Sequence, residues 1–112
     1  MKTVKFELAS RDDVKRRARA AFRGEAQADR VSFASPELLF SLLTPKRWEI
    51  IRAMAGAGTM SIRELARRLD RDVKAVHGDV HALLNAGILH QDKKGIEFPF
   101  DAVRVDFTLR AA

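Results

Sequence analysis

A chain of 112 residues, 46% hydrophobic and 32% charged, is sized for one globular domain with a small core. It contains no cysteine, which excludes disulfides, thiol nucleophiles and cysteine-ligated zinc, and no run of 18 apolar residues, which excludes a membrane-spanning helix. The net charge of +6 suits a polyanionic partner, and the excess is uneven: nine Lys/Arg against six Asp/Glu in residues 1–43, ten against six in 44–94, two against three in 95–112.

Thr3 to Ala9 alternates, with Val4, Phe6 and Leu8 on one face and Lys5 and Glu7 on the other, which predicts a half-buried strand. This opening has no long apolar core and turns acidic early, so no signal peptide is expected and the expected location is the cytoplasm. Ser10-x-x-Asp13 opens a helix whose Val14, Ala18, Ala21 and Phe22 point inward, whose Lys15, Arg16, Arg19 and Arg23 form a basic outer face, and which ends at Gly24. Residues 25–30 read as a loop and Val31–Phe33 as a short strand. Ser35-Pro36 and Thr44-Pro45 are two helix starts, each with proline where its missing N–H costs nothing. The second of these helices directs Trp48, Ile51, Met54 and Ala55 inward and breaks at Gly56-Ala57-Gly58.

The stretch from Ser61 to Leu89 is the most telling. Ser61-x-x-Glu64 is a capping box, followed by Ile62, Leu65, Ala66 and Leu69 as one buried stripe. Asp72 caps a second helix carrying Val73, Val76, Val80, Leu83 and Leu84, and Gly87 closes it in the left-handed conformation. Ile88 to Glu97 reads as a hairpin with its tip at Asp92-Lys93-Lys94-Gly95, Gly95 taking the turn's left-handed position. Pro99 interrupts the ladder, and Val103, Val105, Phe107 and Leu109 alternate with polar residues as a closing strand. Helix, helix, helix, hairpin is the order of a winged helix-turn-helix. The expected fold class is therefore α+β: a strand-helix extension over 1–43, usable for dimerisation, a winged helix-turn-helix over 44–100, and a C-terminal strand over 101–112, all in one compact domain. The two terminal strands are expected to pair with each other, within or between subunits.

In this reading the second helix is a reading head for DNA. With Val76, Val80 and Leu83 inward, Val73, Lys74, His77, Gly78 and His81 face out. Lys74 and His77 lie in the first two turns, which enter a major groove deepest, and both can donate to guanine acceptors or phosphates. Gly78 offers no side chain, and Asp79 adds a negative charge. Lys93 and Lys94 at the hairpin tip, Arg63 at a helix start, and Lys46 and Arg47 after Thr44 are candidate phosphate contacts. Ser61 and Arg71 complete the candidate set. His77-x3-His81 has the spacing of a metal pair but lacks a third ligand at any expected spacing, so no metal is expected. There is no phosphate loop or nucleophile elbow, so no enzyme and no cofactor is expected, and Trp48 sits at core spacing.

The segment LTPKRWEIIRAMAGAGTMSIRELARRLDRDVKAVHGDVHALLNAGIL, Leu43 to Leu89, resembles small prokaryotic winged-helix DNA-binding proteins of the MarR-like or ArsR-like transcriptional regulators. The motifs that carry the resemblance are TPKRW, SIRELARRL and the helix bearing Val76, His77, Asp79, Val80 and Leu83. Gly78 departs from it, because such helices more commonly carry arginine there. The resemblance implies sequence-specific binding of double-stranded DNA by a homodimeric repressor. It also implies an alternative, an antitoxin-like module that binds a partner protein and regulates its own operon.

Overall fold

A computed structural model describes residues 1–9, 11–23, 29–108 and 111; of Arg11, Asp13, Val14 and Arg17 it describes the backbone alone. Ten elements follow in order: β1 (Thr3–Leu8), α1 (Arg11–Phe22), β2 (Arg30–Phe33), α2 (Pro36–Leu42), α3 (Pro45–Met54), α4 (Ile62–Leu69), α5 (Val73–Asn85), β3 (His90–Asp92), β4 (Gly95–Glu97) and β5 (Ala102–Asp106). The described residues form a mixed α/β arrangement of five helices and two sheets. Among the described residues, no helix is long and apolar enough to cross a membrane.

The larger sheet has the order β2-β1-β5 and both of its pairings are parallel. The terminal strands thus pair within one chain, with Val4 beside Val103 and Phe6 beside Val105. Phe6 also lies beside Val31, and Leu8 beside Phe33. Apolar side chains therefore share one face of the sheet, while Lys5, Glu7, Arg30, Arg104 and Asp106 share the other. On that charged face Glu7 is buried and accepts a hydrogen bond from the Arg30 guanidinium at 3.0 Å.

The apolar face meets the helices at Phe6, which is fully buried. Its ring stands 6.1 Å from Phe33, edge-on, and 6.0 Å from Trp48. Trp48 is half-buried against the core, in the packing role its spacing predicts. From there the core runs through Leu39, Ile50, Ile51, Met54, Leu65, Val76, Val80 and Leu83 to Ile88, Ile96 and Phe98. Ile50 joins Ile51 inside, a position the spacing of α3 had not singled out.

Start signals for α2 and α3 act as read: the Ser35 and Thr44 side chains accept from the backbone N–H of Leu38 and Arg47. Three expectations need correction. In α1, Ala18, Ala21 and Phe22 are exposed, Phe22 by 94%, so the expected inward face lies open; the side chain of Val14, and Ser10 and Gly24 at the expected helix ends, lie outside the described residues. The predicted closing strand is shorter, ending at Asp106, and Leu109 also lies outside the described residues. The small sheet pairs only His90–Asp92 with Gly95–Glu97, because Ile88 and Leu89 are drawn into the core before the strand begins.

Candidate nucleic-acid interface

The connection between α4 and α5 is three residues long, and its geometry is set by caps. Ser61 Oγ accepts from Glu64 N–H at 3.0 Å and starts α4. Asp70, at φ 52°, takes the left-handed conformation that ends it. Asp72 then caps α5 through Ala75 N–H at 3.2 Å. The capping box is only half made. The Glu64 carboxylate does not reach back to Ser61; it turns to Arg67, whose Nε lies 2.9 Å away, and to Arg68 Nε at 3.1 Å. The hydrogen bonds from Arg67 and then Arg68 hold the Glu64 carboxyl at a pKa of about 2, against its ordinary 4.5. Two arginines of α4 are thereby partly neutralised, while Arg63 on its first turn is exposed.

Helix α5 buries Val76, Val80 and Leu83 completely. Its outward strip holds Val73, which is 43% exposed, then Lys74, His77 and Gly78, also exposed, and half-buried His81. The stripe therefore begins at Val76, not Val73. The His77 and His81 rings lie 4.2 Å apart, centroid to centroid, as their spacing of four predicts. Among the described residues no group of three His, Cys, Asp or Glu is placed to hold a metal ion. A Cβ added to Gly78 would meet nothing within 4 Å, so no packing inside the chain requires glycine there.

Asp79 does not project from this strip as a free negative charge. One carboxylate oxygen accepts from Arg47 Nε at 3.1 Å and the other from Arg71 Nη2 at 2.7 Å. Arg47 also donates to Leu42 O at 2.9 Å and Arg71 to Lys46 O at 3.2 Å. All three side chains are largely covered, with 23%, 14% and 20% exposure for Arg47, Arg71 and Asp79. The cluster ties the start of α3, the α4–α5 turn and the middle of α5 together. Arg47 and Arg71, both among the expected DNA contacts, thus each have two guanidinium nitrogens engaged inside the chain. Lys46, in contrast, is exposed. The distance from Arg47 to Asp79 along the chain, 32 residues, hides the cluster from any local pattern.

The hairpin tip is tighter than predicted. Asp92 Oδ1 accepts from Lys94 N–H at 2.7 Å and Gly95 N–H at 3.2 Å, which leaves Lys93 and Lys94 as a two-residue turn with both side chains exposed. Gly95 is the first residue of β4 and not part of the tip. Its φ of 140° is one that L side chains rarely adopt, and a Cβ there would stand 2.5 Å from Met60 O. Met60 bridges antiparallel to Ile96 with hydrogen bonds of 2.9 and 2.8 Å, which makes the residue before the Ser61 cap of α4 a third partner of the hairpin.

A family match runs from the last residue of α2, through α3 to β4, into β5. The HVO_A0114 family model covers residues 42–105, and it names neither MarR-like nor ArsR-like regulators. No curated protein and no solved structure matches the chain. With more than half of its length inside that match, the chain belongs to the HVO_A0114 family.

Proposed function

We propose that the chain is a winged helix-turn-helix protein that binds double-stranded DNA and acts as a homodimeric transcriptional repressor. α4 and α5 are the helix-turn-helix, α5 the reading helix, and β3–β4 the wing. The observation that carries this reading is the composition of the outward strip of α5. Lys74, His77, Gly78 and His81 are presented together, and the acid that interrupts them in sequence, Asp79, is turned away into Arg47 and Arg71. Lys74 and His77 are the base readers; Lys46, Arg63, Lys93 and Lys94 supply phosphate contacts that position without specifying.

Two expected results follow from the division of labour. Lys93→Ala with Lys94→Ala weakens binding to every sequence and lowers the slope of log affinity against log salt by about 0.9 per lost phosphate contact. Lys74→Ala or His77→Ala instead changes which sequences are preferred, read by selection from a random duplex pool. If neither pair of changes alters a measured gel shift, α5 and the wing do not enter the grooves.

Gly78 gives a sharper check. Glycine inside a helix costs about 1 kcal/mol relative to alanine, and this position is sterically open. Gly78→Ala is therefore expected to raise the melting temperature. If the helix backbone approaches DNA closely at Gly78, the same change lowers affinity. A variant that gains stability and loses nothing in binding removes Gly78 from the contact surface.

A second reading, a module that binds a partner protein, is favoured by α1, where Phe22 is 94% exposed beside exposed Ala18 and Arg19. Phe22→Ser separates the two. Loss of partner capture with an intact gel shift assigns α1 to a protein partner.

A further inference from the structure

β5 is an outer strand of the parallel sheet, paired with β1 on one side. Among the described residues no strand pairs with its other side. An open edge of this kind presents unpaired N–H and C=O groups to any second strand. What distinguishes β5 is the order of its side chains. Centred on Val105, the sequence reads Val103, Arg104, Val105, Asp106, Phe107. Turning the strand end for end about Val105 exchanges Arg104 with Asp106 and Val103 with Phe107.

We propose that β5 is a self-pairing strand, and that two copies of the chain join antiparallel about Val105 into one six-stranded sheet. In that register Arg104 of each copy stands opposite Asp106 of the partner subunit, giving two ion pairs on the charged face. Val105 faces Val105 of the partner subunit, and Val103 faces Phe107 of the partner subunit, on the apolar face. A two-fold interface repeats every contact, so one complementary pair counts twice. Opposite charges directly across a strand pair stabilise it, and like charges destabilise it.

Several observations favour a second copy as the occupant. Val105 is 43% exposed although it lies on the apolar face beside fully buried Phe6. Phe107 packs edge-on against Phe40 at 5.8 Å, and Phe40 is itself 61% exposed. Arg104 and Asp106 are in long contact within the strand, 3.6 Å apart with side chains 72% and 43% exposed. Such a surface pair is worth little, so exchanging it for a pair across the two-fold costs little. The opposite edge of the sheet has no such symmetry: in β2, Arg30 would meet Ser32. This inference does not depend on DNA binding.

The test uses the full chain. Light scattering or sedimentation at micromolar concentration is expected to give twice the chain mass. Arg104→Asp and Asp106→Arg each place like charges opposite one another and are expected to weaken association at least tenfold. An equal mixture of the two variants restores the dimer, because every position then again sets an arginine against an aspartate. Val105→Cys, in a chain with no native cysteine, is expected to give a covalent dimer under mild oxidation, since residues facing each other across antiparallel strands are about 4.5–5.5 Å apart at Cα. Lys93→Cys at the hairpin tip is expected to stay uncrosslinked.

A monomer at micromolar concentration overturns the proposal, as does a dimer that both charge reversals leave intact. Asp106→Arg also removes the Asp106 contact to Lys5, at 3.6 Å. If circular dichroism shows that variant unfolded, Arg104→Asp and Val105→Cys still decide. A native monomer that binds DNA overturns the strand pairing and the homodimer while sparing the DNA reading; a dimer that binds no DNA overturns the DNA reading alone.

Discussion

Asp79→Ala is expected to lower the melting temperature by roughly 10–15 °C. The change leaves two guanidinium groups, Arg47 and Arg71, largely covered and without their shared carboxylate. Removing one partner of a buried ion pair costs about 3–5 kcal/mol, because the remaining charge keeps its desolvation penalty. The residual exposure of these side chains brings this to about 2–3 kcal/mol, and a domain of this size loses roughly 5 °C per kcal/mol. Arg47 and Arg71 each keep one backbone carbonyl, Leu42 O and Lys46 O, which holds the cost below the upper figure. Arg71→Met should cost less than Asp79→Ala, since Asp79 then retains Arg47. Replacing all three with apolar residues of similar volume should recover much of the loss. A triple variant as unstable as Asp79→Ala would show that the ion pairs are not its source.

The same substitution separates two roles that are easily confused. Asp79 carries a negative charge on the proposed reading helix, so its removal should strengthen attraction to phosphate if the charge acted outward. The geometry has it acting inward, fixing the position of α5 against α3 and the α4–α5 turn. If α5 reads bases as proposed, Asp79→Ala should therefore bind duplex DNA less selectively at temperatures where it is still folded, because that helix is held less firmly. Asp79→Asn keeps one hydrogen-bond acceptor and should fall between the two.

Much of this arrangement is legible along the chain because its causes are local. Ser35, Thr44, Ser61 and Asp72 each cap the helix that follows them, and capping depends on residues three apart. Val76, Val80 and Leu83 are buried because helical spacing leaves them on one face. What escaped the sequence depends on contacts between distant segments. Nothing near Asp79 announces Arg47, and nothing near Arg47 distinguishes it from the exposed Lys46 beside it. Nothing in the alternation of Thr3–Leu8 states that both neighbours run parallel to it, because register is a property of the assembled sheet. The capping box at Ser61 failed for a local reason that was visible but ambiguous: Glu64 has arginines three and four residues ahead, and these won the competition for its carboxylate. In α1, helical spacing made an apolar stripe, but the fold leaves Phe22 uncovered.

Gly95→Ala is expected to detach the hairpin from the helices while leaving much of the rest folded. The reason for glycine here is not the turn, which Asp92 closes through the N–H groups of Lys94 and Gly95. It is the approach of Met60 O, which a Cβ would meet at 2.5 Å. That oxygen cannot withdraw freely, because it accepts from Ile96 N–H at 2.8 Å while Met60 N–H donates to Ile96 O. Relief of the clash breaks both bonds, at about 1 kcal/mol each. The unfavourable φ adds about 1–3 kcal/mol. A loss of about 3 kcal/mol or more is expected, concentrated at Met60, Gly95 and Ile96, and hydrogen exchange at the Met60 and Ile96 amides measures it directly. Those two amides should lose protection well before Val80 and Leu83 in α5. The proposed DNA binding should follow the same geometry. With the strand freed from Met60, Lys93 and Lys94 no longer have a fixed position relative to α5, so Gly95→Ala should reproduce the loss of affinity of the double lysine variant while keeping its charge. Equal protection at Ile96 in both proteins would mean that the backbone shifts to accommodate the methyl group, and the Met60–Ile96 bridge would then not be what holds the hairpin.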